Sequence, residues 1–165
     1  MEQSNDVRAK LLDTLKKLDT VMVATRAKNG TLRARPMAIA EVDAQGDVWF
    51  ATSRETEKTD EAERDPRGLI TAQDGMLYLS VSGTLDVVDD RAKVQRLWKE
   101  PWRVYFPNGK DDPNIVLLRL SPDIGEYWDN TGAKGLRYLW EAAAAVLKGE
   151  RPRDDAPEQH AKVSM

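Results

Sequence analysis

Short apolar runs, broken every few residues by turn signals, constrain this chain more than any other feature. Strand-like segments occupy Thr20–Arg26, Thr31–Val42, Val48–Thr52, Leu69–Ala72, Met76–Val88, Asn114–Leu120 and Ile124–Trp128. Between them stand Lys28-Asn29-Gly30, Ala44–Asp47 and Asp74-Gly75, residues that accept the positive φ of tight hairpins. Connections this short join antiparallel neighbours, because a parallel pair needs a crossover of a dozen residues or more. Helical patterns fall at the margins. One covers Asn5–Leu18, with Val7, Leu11, Leu12, Leu15 and Leu18 on one stripe. A charged one covers Glu55–Arg64 before Asp65-Pro66, a short one follows Asp89-Asp90, and a last one runs from Gly135 to Leu147. The pattern predicts a β-rich α+β protein: six or seven mostly hairpin-connected strands closing into an antiparallel barrel with peripheral helices. Pro36 interrupts the second strand and predicts an edge, a bulge or a ligand beside it.

Residues 1–149 read as a single domain, and 150–165 as a disordered polar tail without apolar period. A net charge of −3 with no basic face argues against nucleic acid or an anionic membrane surface as partner. Cysteine is absent and His160 is the single histidine, so thiolate metal sites, histidine metal sites and Ser-His-Asp chemistry have almost nothing to work with; no metal is expected. The first residues lack a signal-peptide pattern, and no apolar run approaches the roughly 20 residues of a membrane span. A cytoplasmic location is the default expectation.

The candidate site lies where the strand Val48-Trp-Phe-Ala-Thr-Ser53 meets the charged helix. Thr52 and Ser53 offer hydroxyls at the helix start, the first-turn amides lack intrahelical acceptors, and Lys58 sits one turn later; together these suit a phosphate. Arg33 and Arg35, two residues apart, share one face of the preceding strand, and the Arg35 fork suits bidentate phosphate binding. Each residue also has a plainer reading. Arg35 could form a cross-strand ion pair, Lys58 could be a surface lysine, and Thr52 with Glu55 has capping-box spacing that needs no ligand. Glu55 and Glu57 would oppose a phosphate dianion, while the run to Asp65 reads as a solvated face. Trp102, Tyr105 and Phe106 stand on an irregular aromatic loop, where they read either as core and subunit packing or as the walls of a substrate cavity.

Taken in order, Gly30-x-x-x-Ala-Arg-Pro-Met37, Val48-Trp-Phe-Ala-Thr-Ser53 with Lys58, Asp65-Pro66, Val81-Ser-Gly-Thr84, Val88-Asp-Asp-Arg-Ala-Lys93, Phe106-Pro-x-Gly-x-Asp-Asp-Pro113 and Glu126-Tyr-Trp-Asp129 resemble the FMN-binding split-barrel family of pyridoxamine 5′-phosphate oxidase, and within it the general stress protein branch. The resemblance implies that Arg35, Pro36 and Met37 run along a flavin, that Thr52, Ser53 and Lys58 hold its phosphate, and that Trp128 reaches it from a second subunit of a homodimer. The cofactor implied is FMN, with FAD as the alternative.

The same resemblance disfavours vitamin B6 oxidation. The family's oxidases carry a lysine where Ala40 stands and an Arg-x-His pair after the tryptophan matching Trp128, where this chain reads Asp129-Asn-Thr-Gly-Ala-Lys134. Two roles stay open: a stress-related flavin oxidoreductase acting on a small molecule, with no catalytic residue assigned, or a protein that sequesters or delivers flavin. Other planar cofactors, deazaflavin or haem, are used by cousins of the barrel; haem is disfavoured by the lack of a histidine outside the tail.

Overall fold

The computed structural model describes residues 2–131 and 160–165. Among these residues three α-helices, α1 (Glu2–Leu15), α2 (Glu57–Arg64) and α3 (Arg91–Leu97), flank eight strands: β1 (Thr20–Arg26), β2 (Leu32–Ala38), β3 (Glu41–Val42), β4 (Val48–Ser53), β5 (Arg67–Asp74), β6 (Leu77–Val88), β7 (Ile115–Asp129) and β8 (His160–Ser164). All pairings are antiparallel, in the order β2-β1-β5-β6-β7-β4-β3, with β8 adding to β7 beyond the end of β4. The hairpins form where the turn residues predict them, with Gly30 at φ 85° and Gly75 at φ 58°. Pro36 sits opposite Met22 on β2, the edge strand, where a missing N–H costs no ladder bond. The two segments read separately as 114–120 and 124–128 are one long strand, β7, whose register shifts opposite Ser82/Gly83. Gly83 is needed there: a Cβ would lie 2.1 Å from the Ser121 carbonyl oxygen.

The sheet curls around Val23, Phe50, Ile70, Val81, Leu118 and Leu120, all inaccessible to solvent. Leu11 and Leu15 of α1 close one opening of this core and Ala62 of α2 contributes to it. The opposite faces of β4 and β7 are covered as well. Trp49, Ile115 and Leu117 point outward into a second cluster with Val94 and Leu97 of α3 and with Trp102 and Phe106, which stand on and after a short 3₁₀ turn, Glu100–Val104. Burial on both faces explains why these strands read as continuous apolar runs rather than alternating ones.

Three expectations need correction. The C-terminal residues 160–164 form a strand instead of a disordered tail: Val163 is buried, Ala161 and Met165 pack on the core, and Lys162 pairs with Glu126 at 2.8 Å. Helix α2 begins at Glu57 with Thr56 as its N-cap, so the Thr52–Glu55 capping box is not used. Nor is the charged run only a solvated face, since Thr59, Glu61 and Ala62 are buried. The helix expected at 135–147 lies outside the described residues.

Candidate functional site

The curl of the sheet brings β2 against the end of β4, two strands that do not hydrogen-bond to each other, and leaves a cleft of about 410 Å³ at the seam. Arg35, Pro36, Met37 and Ala38 of β2 form one wall, Ala51, Thr52 and Ser53 of β4 another, and Thr56 with Lys58 the end nearest α2. Trp102, Tyr105 and Phe106 line the remaining side. Trp102 and Phe106 are largely buried (8% and 7% exposed), whereas Tyr105 is 79% exposed at the rim. Nine of the ten residues singled out from the sequence therefore converge on one cleft. Trp128 does not line it; on β7 its ring stacks on His160, centroids 4.9 Å apart and planes 8° from parallel.

The strand-to-helix turn is built from hydroxyls. The Ser53 carbonyl accepts from Thr56 Oγ1 at 3.0 Å and from Thr59 Oγ1 at 2.9 Å. Thr56 Oγ1 lies 2.9 Å from Thr59 Oγ1 and 3.4 Å from Thr52 Oγ1. The Thr56 hydroxyl donates to the Ser53 carbonyl and accepts from no amide of α2, so the helix has no side-chain cap. The amides of Thr56, Glu57 and Lys58 consequently donate to no group among the described residues. Open N–H groups at a helix start attract an anion.

Lys58 is half-buried and makes no ion pair among the described residues. Burial, and then repulsion from the Arg35 guanidinium, pull its ammonium below the ordinary lysine pKa. A cation desolvated without a counter-ion is costly to keep, and a bound anion would relieve that cost. Arg35 takes the ion-pair arrangement: its Nη2 donates to Glu61 Oε2 at 2.9 Å and its Nη1 to the Thr25 hydroxyl, while the side chain still borders the cleft. Arg33 shares that face as its spacing predicts, donating to Glu57 Oε2 at 2.6 Å and facing Glu61 Oε1 at 3.4 Å. Glu57 is thereby engaged on the Arg33 side and, like Glu55, does not border the cleft. The residue missed from the sequence is Glu61, which no local signal sets apart from the other acidic residues of the run.

An antiparallel split barrel whose seam opens at a hydroxyl-rich helix start defines the structural class. The family model described as pyridoxamine 5′-phosphate oxidase like matches residues 6–153, and the chain belongs to that family. It is 28% identical to general stress protein 26 of Bacillus subtilis (strain 168) over 72% of this chain and 85% of that protein. Among solved structures, a candidate general stress protein 26 from Jannaschia sp. CCS1 superimposes with a TM-score of 0.72 at 27% identity, covering 98% of this chain and 99% of the other. The general stress FMN/FAD binding protein of Xanthomonas citri does so at 0.67 and 32% identity, over 78% and 92%.

In the described residues no helix is long and apolar enough to cross a membrane, and no cluster of three or more metal-ligating side chains occurs.

Proposed function

We propose that the seam cleft binds a flavin nucleotide, FMN foremost and FAD as the alternative, and that the chain is a cytoplasmic, stress-related flavin oxidoreductase. The single observation that carries this reading is the half-buried Lys58, without an ion pair among the described residues, beside three amides that donate to none of them, at one end of an otherwise largely apolar cleft. Lys58, the Thr56–Lys58 amides and the Ser53 hydroxyl would hold the phosphate, with Arg35 next to them. Pro36 and Met37 on one wall and Trp102 and Phe106 on the other offer flat contact to a ring system. Two features of this chain support a site shared between two copies: the cleft is open on one side, and Tyr105 stands exposed at its rim (79%) beside the equally exposed Val104 (81%). Trp128 of the partner subunit would then complete the pocket.

When bound, the flavin supplies the electron transfer; the protein supplies position, exclusion of water and charge. Among the described side chains lining the cleft, none is a carboxylate or histidine poised to move a proton near neutral pH. That lining favours a second reading, a flavin-sequestering or delivery protein without turnover. Mixing the flavin-loaded protein with NADH and NADPH in a stopped-flow spectrometer separates the two. Bleaching of the flavin absorbance on a catalytic time scale supports the oxidoreductase, and tight flavin binding without reduction supports the carrier. Failure of added FMN or FAD to bind at all refutes both.

A further inference from the structure

Helix α2 contributes a cation to the cleft at Lys58 and, three residues on, a carboxylate behind it at Glu61. The Glu61 side chain is only 4% exposed, a placement that is unfavourable unless the charge is paired. Burial works against its ionisation, but hydrogen bonds from Thr25 and Arg35 outweigh it and keep the carboxyl below its ordinary pKa. Thr25 Oγ1 donates to Glu61 Oε2 at 2.5 Å, and Arg35 donates to both Thr25 and that same oxygen. Three groups from β1, β2 and α2 thus close a ring around one edge of the guanidinium. A guanidinium has five N–H donors in a fixed plane. Tying one from each Nη to the ring sets that plane and leaves the others unspent beside the cleft. Arg33, against Glu61 Oε1 at 3.4 Å, offsets part of the carboxylate charge. Across Arg33, Arg35, Lys58, Glu57 and Glu61, one net positive charge remains at this end.

We infer that Glu61 is a positioning residue for anion recognition: with Thr25 it holds Arg35 at the phosphate end of the cleft. The inference rests on the phosphate reading proposed above. Were Glu61 only a tie between α2 and the sheet, its loss would lower stability and leave phosphate recognition untouched. Were it a competing anion, its loss would strengthen that recognition.

The test is the preference for FMN over riboflavin, which differ by the phosphate alone, measured from dissociation constants by flavin fluorescence quenching on the full chain. In Glu61→Ala the preference should fall about 5- to 10-fold, in Glu61→Gln it should stay within about 3-fold of the parent because the amide oxygen still accepts from Thr25 and Arg35, and Arg35→Ala with Glu61→Ala together should be no worse than Arg35→Ala alone. Thr25→Val, nearly isosteric, should lose about 2- to 3-fold and decides the matter if Glu61→Ala melts without cooperativity. A Glu61→Ala protein that folds and keeps or raises the FMN preference overturns the inference, as do losses that multiply in the double variant or an unchanged Thr25→Val preference. A parent chain that binds both flavins equally refutes the phosphate reading itself, and is recognised before any variant is made.

Discussion

Replacing Lys58 by Met should weaken FMN binding while making the flavin-free protein more stable. An ammonium in contact with a phosphate at about 4 Å gains roughly 4 kcal/mol per unit charge at an effective dielectric near 20. Desolvating the anion offsets part of this, and a net loss of about 1–3 kcal/mol is typical for one charge-assisted contact. The expected outcome is an FMN dissociation constant about 5- to 150-fold higher, with riboflavin unchanged within about 2-fold. The stability effect has the opposite sign because Lys58 carries a half-buried charge facing Arg35 with no acidic partner among the described residues. Its folded pKa lies below its unfolded value, so the unfolded chain binds more protons between the two. Stability should therefore rise as pH increases through that interval, and the penalty is present in full below it. Urea titrations of parent and variant between pH 7 and 10.5 would show the variant more stable at pH 7 and the gap closing as pH rises. Loss of FMN and riboflavin affinity in equal measure would show that Lys58 supports the pocket as a whole. An FMN constant unchanged from the parent would refute the phosphate assignment.

Other perturbations probe the frame around the cleft. The Glu41 carboxyl is held at about 2, first by hydrogen bonds from Arg96, against the opposing effect of burial, and with Lys93 adding to it. Its contribution is present above the ordinary value of 4.5 and is lost as pH falls through about 2. Glu41→Gln should cost about 1 kcal/mol at pH 7, since Arg96 is largely exposed, with the difference vanishing near pH 2 in urea melts; a pH-independent difference would contradict the ion pair. Gly83→Ala forces a Cβ onto the backbone of β7 and should destabilise by about 3 kcal/mol or more, against a few tenths if the bulge can relax. Val163→Asp places a charge in the buried position of β8 and should release the C-terminal strand, read as about 2 kcal/mol of lost stability and new proteolysis within residues 160–165. Unaltered protease resistance would mean that the strand contributes nothing to the fold.

Most of the sheet was legible from hairpin chemistry, because turns such as Asn29-Gly30 and Asp74-Gly75 are decided locally. The cleft was legible in its composition: Arg35, Pro36 and Met37 on β2 and Thr52, Ser53 and Lys58 around the β4–α2 junction converge as their neighbouring strands suggest. What escaped was the choice of partner for each charge. In a run of alternating Glu, Lys, Asp and Arg, nothing local marks Glu61 as the buried one; that depends on β1 and β2 arriving above it with Thr25, Arg33 and Arg35. The N-cap moved to Thr56 for a related reason, since the hydroxyls of Thr56 and Thr59 both bond back to Ser53 and extend the turn before helix begins. Strand β8 was hidden by its brevity. Ala161, Val163 and Met165 alternate with period two, but three apolar residues after a long polar stretch predict a tail unless an open strand edge awaits them, and β7 beyond β4 provides one.

Whether the start of α2 holds the phosphate of a flavin nucleotide is decided by a crystal structure of this chain grown with FMN. The phosphate should lie within hydrogen-bonding distance of Lys58 Nζ and of amides in the Thr56–Lys58 turn, with the ring between Pro36-Met37 and Trp102. A phosphate bound elsewhere, or a cleft without flavin while Lys58 turns to solvent, would contradict it.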